Sequence, residues 1–161
     1  MKTEKITKVL IALDYDPTAQ KVAETGHTMA KAMQAEVVLL HVVSDLVYYS
    51  SEEYSPIMGF NGFQGLIPMP LNNGEALKSA TLQYLEKTKH HLGDEKIELM
   101  AEEGEVADTI TKTAKKLHAD IIVMGSHSRK WLKNILMGSV TEEVMRHTAI
   151  PLFIVPTKKH D

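Results

Sequence analysis

The chain has 161 residues, 43% hydrophobic and 24% charged, a composition typical of one globular domain, which we expect to span residues 1–161. Its net charge of −3 disfavours a general attraction to nucleic acid, and the absence of cysteine excludes disulfides, thiol catalysis and thiolate metal sites. No apolar stretch approaches the roughly 20 residues of a membrane span, and the short apolar run after the N-terminal lysines lacks a signal-peptide cleavage site, so we expect a soluble, cytoplasmic protein.

The first half of the chain alternates between strand and helix patterns. Continuous apolar runs predict buried strands at Val9–Leu13 and Glu36–Val43. Between them, Asp16-Pro17 predicts a helix N-cap followed by proline at the first helical position. The helix itself is predicted by an apolar stripe at helical spacing, formed by Ala19, Val22, Ala23, Gly26, Met29, Ala30 and Met33.

The second half continues the alternation. A helix from about Glu75 precedes a weaker strand at Ile97–Ala101, and a helix carrying Val106, Ile110, Ala114 and Leu117 follows. The last three elements are a strand at Ile121–Met124, a helix at about Val140–His147 and a strand at Pro151–Val155. Alternating βα units with strands apolar on both sides indicate an α/β fold with a parallel, doubly wound sheet.

The segment from Ser44 to Gly74 has no convincing period. A stretch of this length without regular structure is unusual in a compact domain, and its tyrosines, phenylalanines and methionines can bury area. It is interpreted either as a variable surface insertion or as a lid or partner-binding arm.

The turn between Gly125 and Ser139 is the main functional signal. A strand that feeds a glycine-bearing loop and then a helix start is suited to phosphate, because the first-turn N–H groups have no intrahelical partner and the helix dipole adds partial positive charge. An alternative explains the same residues by capping alone. Ser139 and Glu142 have the spacing of a capping box, and Gly138 can end the preceding turn at Trp131–Met137.

The spacing separates the two interpretations. Two residues lie between Gly125 and Ser128, and nine more precede Gly138-Ser139. This resembles the pattern of ATP-binding universal stress proteins, namely a glycine, two residues, a glycine, nine residues, then Gly-Ser or Gly-Thr. The chain departs from it at Ser128, where a left-handed conformation would cost about 1–2 kcal/mol, although a serine hydroxyl can donate to a phosphate oxygen.

The resemblance extends over nearly the whole chain and implies a Rossmann-like fold with a five-stranded parallel sheet of order 3-2-1-4-5 and helices on both faces. In that order strands one and four are neighbours at the topological switch point, which brings Asp14 beside Gly125. The resemblance implies that Asp14 approaches the nucleotide and that Val42 lines the adenine pocket. The complete set of implied nucleotide-binding residues is Ala12, Asp14, Val42, Met124, Gly125, Ser126, His127, Ser128, Arg129, Gly138, Ser139 and Val140.

Plainer roles remain open for several of these residues. Ala12, Val42 and Met124 are equally explained as core, Arg129 as part of a solvated basic face, and His127 as an ordinary loop histidine. The histidines show no metal-ligand clustering, so we expect Mg²⁺ only as a companion of ATP, AMP or ADP.

The apolar run at 150–156, with a proline at either end, predicts an edge strand that must be covered or paired. The resemblance implies that it pairs across a two-fold axis in a homodimer. A further protein partner at 44–74 is open, whereas no nucleic acid or membrane partner is expected.

The sequence contains no nucleophile elbow, no Walker lysine and no evident base–nucleophile pair. The resemblance implies a stress-response signalling dimer that binds ATP or a related adenine nucleotide, and the missing catalytic motifs favour weak hydrolysis at most. The alternatives are a non-nucleotide universal stress protein that acts as an interaction module, and a slow ATPase or nucleotidyl transferase.

Overall fold

A computed structural model describes residues 4–15, 17–44, 74–126 and 138–157. Five strands and four helices lie within these ranges, and none of these helices is long and apolar enough to cross a membrane. In chain order they are β1 (Lys8–Ala12), α1 (Ala19–Ala32), β2 (Glu36–Val43), α2 (Gly74–Leu92), β3 (Glu98–Glu103), α3 (Val106–Lys116), β4 (Ile121–Gly125), α4 (Ser139–His147) and β5 (Leu152–Val155).

The strands form one parallel sheet of order β3-β2-β1-β4-β5, which confirms the predicted order. Every strand run predicted from apolar patterning is found: β2 has the predicted bounds, and no end of the other strands shifts by more than two residues. The largest shift is in β3, which continues to Glu103 because it stays paired with β2 as far as Val43. β1 lies at the centre of the sheet, and the chain turns away from it in opposite directions, first to β2 and later to β4.

Alternate residues of the strands enter two separate cores. The β1 residue Ile11 belongs to the core beneath α1 and α2, whereas its neighbour Leu10 belongs to the core beneath α3 and α4. Both side chains are fully buried. Burial on both faces explains why these strands are continuously apolar rather than alternating.

α1 packs unusually close to the sheet at Gly26. A Cβ atom at this position would lie 2.9 Å from Cδ1 of Ile11 and 3.1 Å from Cγ1 of Val123. The missing side chain therefore lets α1 lie directly across β1 and β4, the two strands that flank the switch point.

Two predictions about α1 are wrong at its ends. The helix begins at Ala19 with Thr18 as its N-cap, so Pro17 is not its first residue, and Asp16 lies outside the described residues. Met33 is the C-cap and is 38% exposed rather than part of the apolar stripe, because the helix has already ended there.

Asp120 fastens the amino edge of the sheet. Its carboxylate accepts hydrogen bonds from the Thr7 N–H (2.8 Å), the Lys8 N–H (3.0 Å) and the Thr7 hydroxyl (3.0 Å). The backbone hydrogen bond from Thr7 is the main reason that the pKa of Asp120 is lowered from its ordinary value. The start of β4 is thereby joined to the start of β1.

We expect Asp120→Asn to lower the free energy of unfolding at pH 7 by about 1 kcal/mol, because a neutral amide accepts weaker hydrogen bonds than a carboxylate. A folded-state pKa below the unfolded value of about 3.9 adds stability that is present above that value and is lost as the pH falls through the folded-state pKa. Urea unfolding of both proteins should therefore show a gap at pH 7 that closes below about pH 4. The pKa of Asp94 is also lowered, chiefly by its hydrogen bond with His27. Because Asp94 is present in both proteins, its contribution to the pH dependence cancels in the difference between them. A gap that stays constant down to pH 3 would contradict the assignment.

Candidate functional site

The candidate site lies at the carboxyl ends of β1 and β4. Ile11 of β1 is in register with Val123 of β4, and Ala12 is in register with Leu40 of β2. Because parallel strands end at the same edge, the chain leaving β1 at Asp14 emerges between the ends of β2 and β4. This edge is the topological switch point of the sheet, where α/β proteins bind their ligands.

Nine of the twelve predicted site residues are described, and they belong to this edge of the sheet. Val42 and Met124 are buried in the core beneath α3 and α4, and Ala12 and Val140 pack against that core. Asp14, Gly125 and Gly138 are partly exposed, Ser139 is exposed and Ser126 is buried, whereas His127, Ser128 and Arg129 lie outside the described residues. The described part of the site thus has an apolar floor and a polar rim.

The two ends of the 127–137 loop are held together by the backbone. The Gly138 N–H donates to the Ser126 carbonyl at 2.6 Å. One turn into α4, the Thr141 hydroxyl donates to the Gly125 carbonyl at 2.9 Å, and Thr141 is buried. These two bonds fix the start of α4 against the end of β4.

The predicted capping box at Ser139 and Glu142 is wrong. Ser139 is the first residue of α4, Gly138 is its N-cap, and no side chain within the described ranges caps the helix. The Glu142 N–H donates to the Gly138 carbonyl, and the Glu142 carboxylate instead pairs with Arg146 at 2.7 Å. Gly138 takes the cap position because its carbonyl accepts this first hydrogen bond of the helix. The first turn of α4 therefore keeps N–H groups that no side chain of its own helix accepts.

α3 also begins at this edge, and its start is different. The Glu105 carboxylate caps it by accepting hydrogen bonds from the Ala107 N–H (3.2 Å) and the Asp108 N–H (2.7 Å). A negative charge thus already occupies the positive end of the α3 dipole. Of these two helix starts, only that of α4 offers uncapped amides to an anion.

The Ser126 hydroxyl joins the ends of β4 and β5. It accepts from the Thr157 N–H at 3.0 Å and lies 3.3 Å from the Thr157 hydroxyl. The Ser126 N–H in turn donates to the Val155 carbonyl at 2.9 Å. Both residues are buried, so this side chain has a structural role whether or not it also meets a ligand.

The turn that contains Asp14 is held by residues that the sequence analysis did not single out as functional. His41 donates from Nδ1 to the Leu13 carbonyl at 2.7 Å, and the Tyr84 hydroxyl donates to the Asp14 carbonyl at 3.1 Å. The Tyr15 hydroxyl bonds the Thr81 hydroxyl. One hint of their role was present in the sequence, because Tyr15 and His41 lie near the ends of two predicted strands. Nothing in the sequence pairs Tyr84 with Asp14.

No group of three or more histidine, aspartate or glutamate side chains among the described residues is arranged to hold a metal ion.

Comparison with known proteins gives a consistent result. The model of the universal stress protein family matches residues 5–156. The universal stress protein MJ0577 from Methanocaldococcus jannaschii is 29% identical, over 94% of this chain and 95% of the relative. The universal stress protein MJ0531 from the same organism is 30% identical, over 96% of this chain and 84% of the relative.

Solved structures show the same fold. The structure of MJ0577 covers 98% of this chain and 100% of its own, with 28% identity and a TM-score of 0.69. A universal stress protein in complex with cAMP covers 96% of this chain and 100% of its own, with 17% identity and a TM-score of 0.66. A universal stress protein from Archaeoglobus fulgidus in complex with dAMP covers 94% and 98%, with 16% identity and a TM-score of 0.59.

We expect Ser126→Ala to lower the free energy of unfolding by about 1–2 kcal/mol, because the buried Thr157 N–H loses its acceptor. Chemical denaturation measures the loss, and hydrogen exchange should show faster exchange at the Thr157 amide. The matched control is Ser79→Ala on the exposed face of α2, which should change stability by less than about 0.5 kcal/mol. Equal effects of the two substitutions would contradict the role given to Ser126.

Proposed function

The chain belongs to the universal stress protein family, and from this membership and the geometry of the site we propose that it binds an adenine nucleotide, with ATP as the first candidate, at the carboxyl ends of β1 and β4. The observation that carries the proposal is the start of α4. Gly138 and Ser139 open this helix without a side-chain cap, next to the end of β4.

The phosphates are proposed to lie at the first turn of α4. The uncapped N–H groups there suit an oxyanion, and the helix dipole favours its charge. The exposed Ser139 hydroxyl is available to donate, since it does not cap its own helix. Gly125, Ser126, His127, Ser128 and Arg129 complete the proposed phosphate and ribose contacts, the last three from the loop.

The base and sugar are proposed to lie over the apolar floor. Val42 and Met124 present a buried apolar surface with Ala12 and Val140 packed against it, which suits a flat purine ring. Asp14, partly exposed just beyond the end of β1, is proposed to meet the sugar. Relatives crystallised with cAMP and dAMP support an adenine nucleotide as the ligand class. Mg²⁺ accompanies ATP, held by phosphates and water.

We propose that the bound nucleotide controls a cytoplasmic signalling homodimer, without rapid turnover. β5 is an edge strand of the sheet, and its residues Leu152, Phe153 and Ile154 are only partly buried within the single chain. Pairing β5 with that of a second copy covers this apolar edge. The 44–74 segment, proposed as an arm for another partner, lies almost entirely outside the described residues.

The nucleotide proposal is tested by an isosteric pair, Gly138→Asp and Gly138→Asn. Both residues are good N-caps, so each preserves α4, but only aspartate places a negative charge beside the phosphates. Calorimetric titration with ATP and Mg²⁺ should show wild-type binding that is at least about tenfold weaker in Gly138→Asp than in Gly138→Asn. Adenosine, which lacks phosphates, should distinguish the two variants far less. A wild type that gives no heat with ATP, ADP or AMP would reject the proposal.

The dimer proposal is tested by light scattering at micromolar protein concentration. The wild type should have the mass of two chains and Ile154→Lys the mass of one, because a lysine on β5 places a charge in the shared edge. Leu82→Lys is the matched control, since Leu82 is a comparably large exposed residue on α2 and should leave the dimer intact. A monomeric wild type would contradict the proposal.

A further inference from the structure

We propose that Tyr84 and His41 are positioning residues that hold Asp14 in the geometry needed to bind nucleotide. This inference rests on the proposed function and concerns a turn that leaves β1 at Leu13 and runs through Asp14 to Tyr15. The turn lies at the switch point, and its backbone conformation determines the position of Asp14.

The turn is tied to β2 and α2 at each of its residues. His41 of β2 donates to the Leu13 carbonyl at 2.7 Å, and Tyr84 of α2 donates to the Asp14 carbonyl at 3.1 Å. The Tyr15 hydroxyl bonds Thr81, one turn before Tyr84 on the same face of α2. These partners lie far from the turn in sequence. Their hydrogen bonds therefore hold the turn in place within the tertiary structure and are not part of its local backbone hydrogen bonding.

The same side chains also enclose the turn. The Tyr15 ring lies between His41, at 4.3 Å between centroids, and Tyr84, at 5.0 Å. Tyr15 is 4% exposed, His41 is 3% exposed and Tyr84 is 1% exposed, whereas Asp14 between them stays partly exposed. A rigid, buried support beneath one accessible acidic residue is the arrangement expected where a ligand-facing group must be preorganised.

Tyr84→Phe is a minimal test because it removes one oxygen and keeps the ring against Tyr15. We expect the affinity for ATP to fall by about tenfold, since removing a support of a binding residue commonly changes coupling by this order. Thr88→Val is the matched control. Thr88 is also buried, lies one turn further along α2, and gives its hydroxyl only to the Tyr84 carbonyl within the helix. It should leave ATP affinity within about twofold of wild type.

A double-mutant cycle separates positioning from general loosening. If Tyr84 acts through Asp14, Tyr84→Phe should lower the affinity for ATP by less than about twofold in an Asp14→Ala background. In a Ser139→Ala background, the same substitution should lower the affinity by the full factor of about ten. Equal losses in all backgrounds, or a loss matched by Thr88→Val, would overturn the inference.

His41 provides a rescue test. His41→Asn keeps an N–H donor close to the position of Nδ1, whereas His41→Leu removes it. We expect the asparagine variant to bind ATP several-fold more tightly than the leucine variant at comparable thermal stability, and equal affinities would count against the role of His41.

Hydrogen exchange of the nucleotide-free protein makes the positioning role testable without ligand. Tyr84→Phe should speed exchange of the Asp14 and Tyr15 amides, and Thr88→Val should not. Unchanged exchange would overturn the inference. If the wild type bound no adenine nucleotide, the proposed function alone would fail, because the exchange result still decides whether Tyr84 holds the turn.

Discussion

The candidate site depends on the parallel pairing of β1 with β4. These strands are separated by most of the chain, yet their register brings Ile11 level with Val123 and so delivers the Asp14 turn and the start of the 127–137 loop to one edge. The pairing is secured at both ends of the strands. Asp120 joins their starts through Thr7 and Lys8, and Gly26 lets α1 lie across both.

Strands were predictable from the sequence to a greater extent than helix starts. A strand buried on both faces must be apolar throughout, and this local signal located β2 to the residue. Helix starts depend instead on hydrogen bonds between backbone N–H groups and acceptors that can be distant in sequence. Gly138, the cap of α4, is tied to the end of β4 by a bond from its N–H to the Ser126 carbonyl, and the Ser139–Glu142 spacing could not reveal that bond. The N-cap of α1 likewise fell two residues beyond Asp16, at Thr18.

The main outlines of the candidate site could also be read from the sequence, because glycine spacing and strand ends are local features. Its supporting layer could not. Tyr84 resembles any inward-facing residue of an amphipathic helix, and only the folded chain brings its hydroxyl to the Asp14 carbonyl. Thr157 and Ser126 meet in the same way, across β4 and β5. Hydrogen bonds between buried residues far apart in sequence leave no periodic trace, so a search for motifs finds candidate ligand-binding residues and misses the residues that support them.

The joint between β4 and α4 has a consequence for which substitutions the protein tolerates. The bond from the Gly138 N–H to the Ser126 carbonyl is made by backbone atoms alone, whereas the neighbouring bond to the Gly125 carbonyl comes from the Thr141 hydroxyl. Any residue except proline at position 138 keeps the N–H that makes the first bond. The second bond requires a hydroxyl at position 141, where the side chain is buried. One half of the joint is therefore indifferent to side-chain identity, and the other half depends on a single residue.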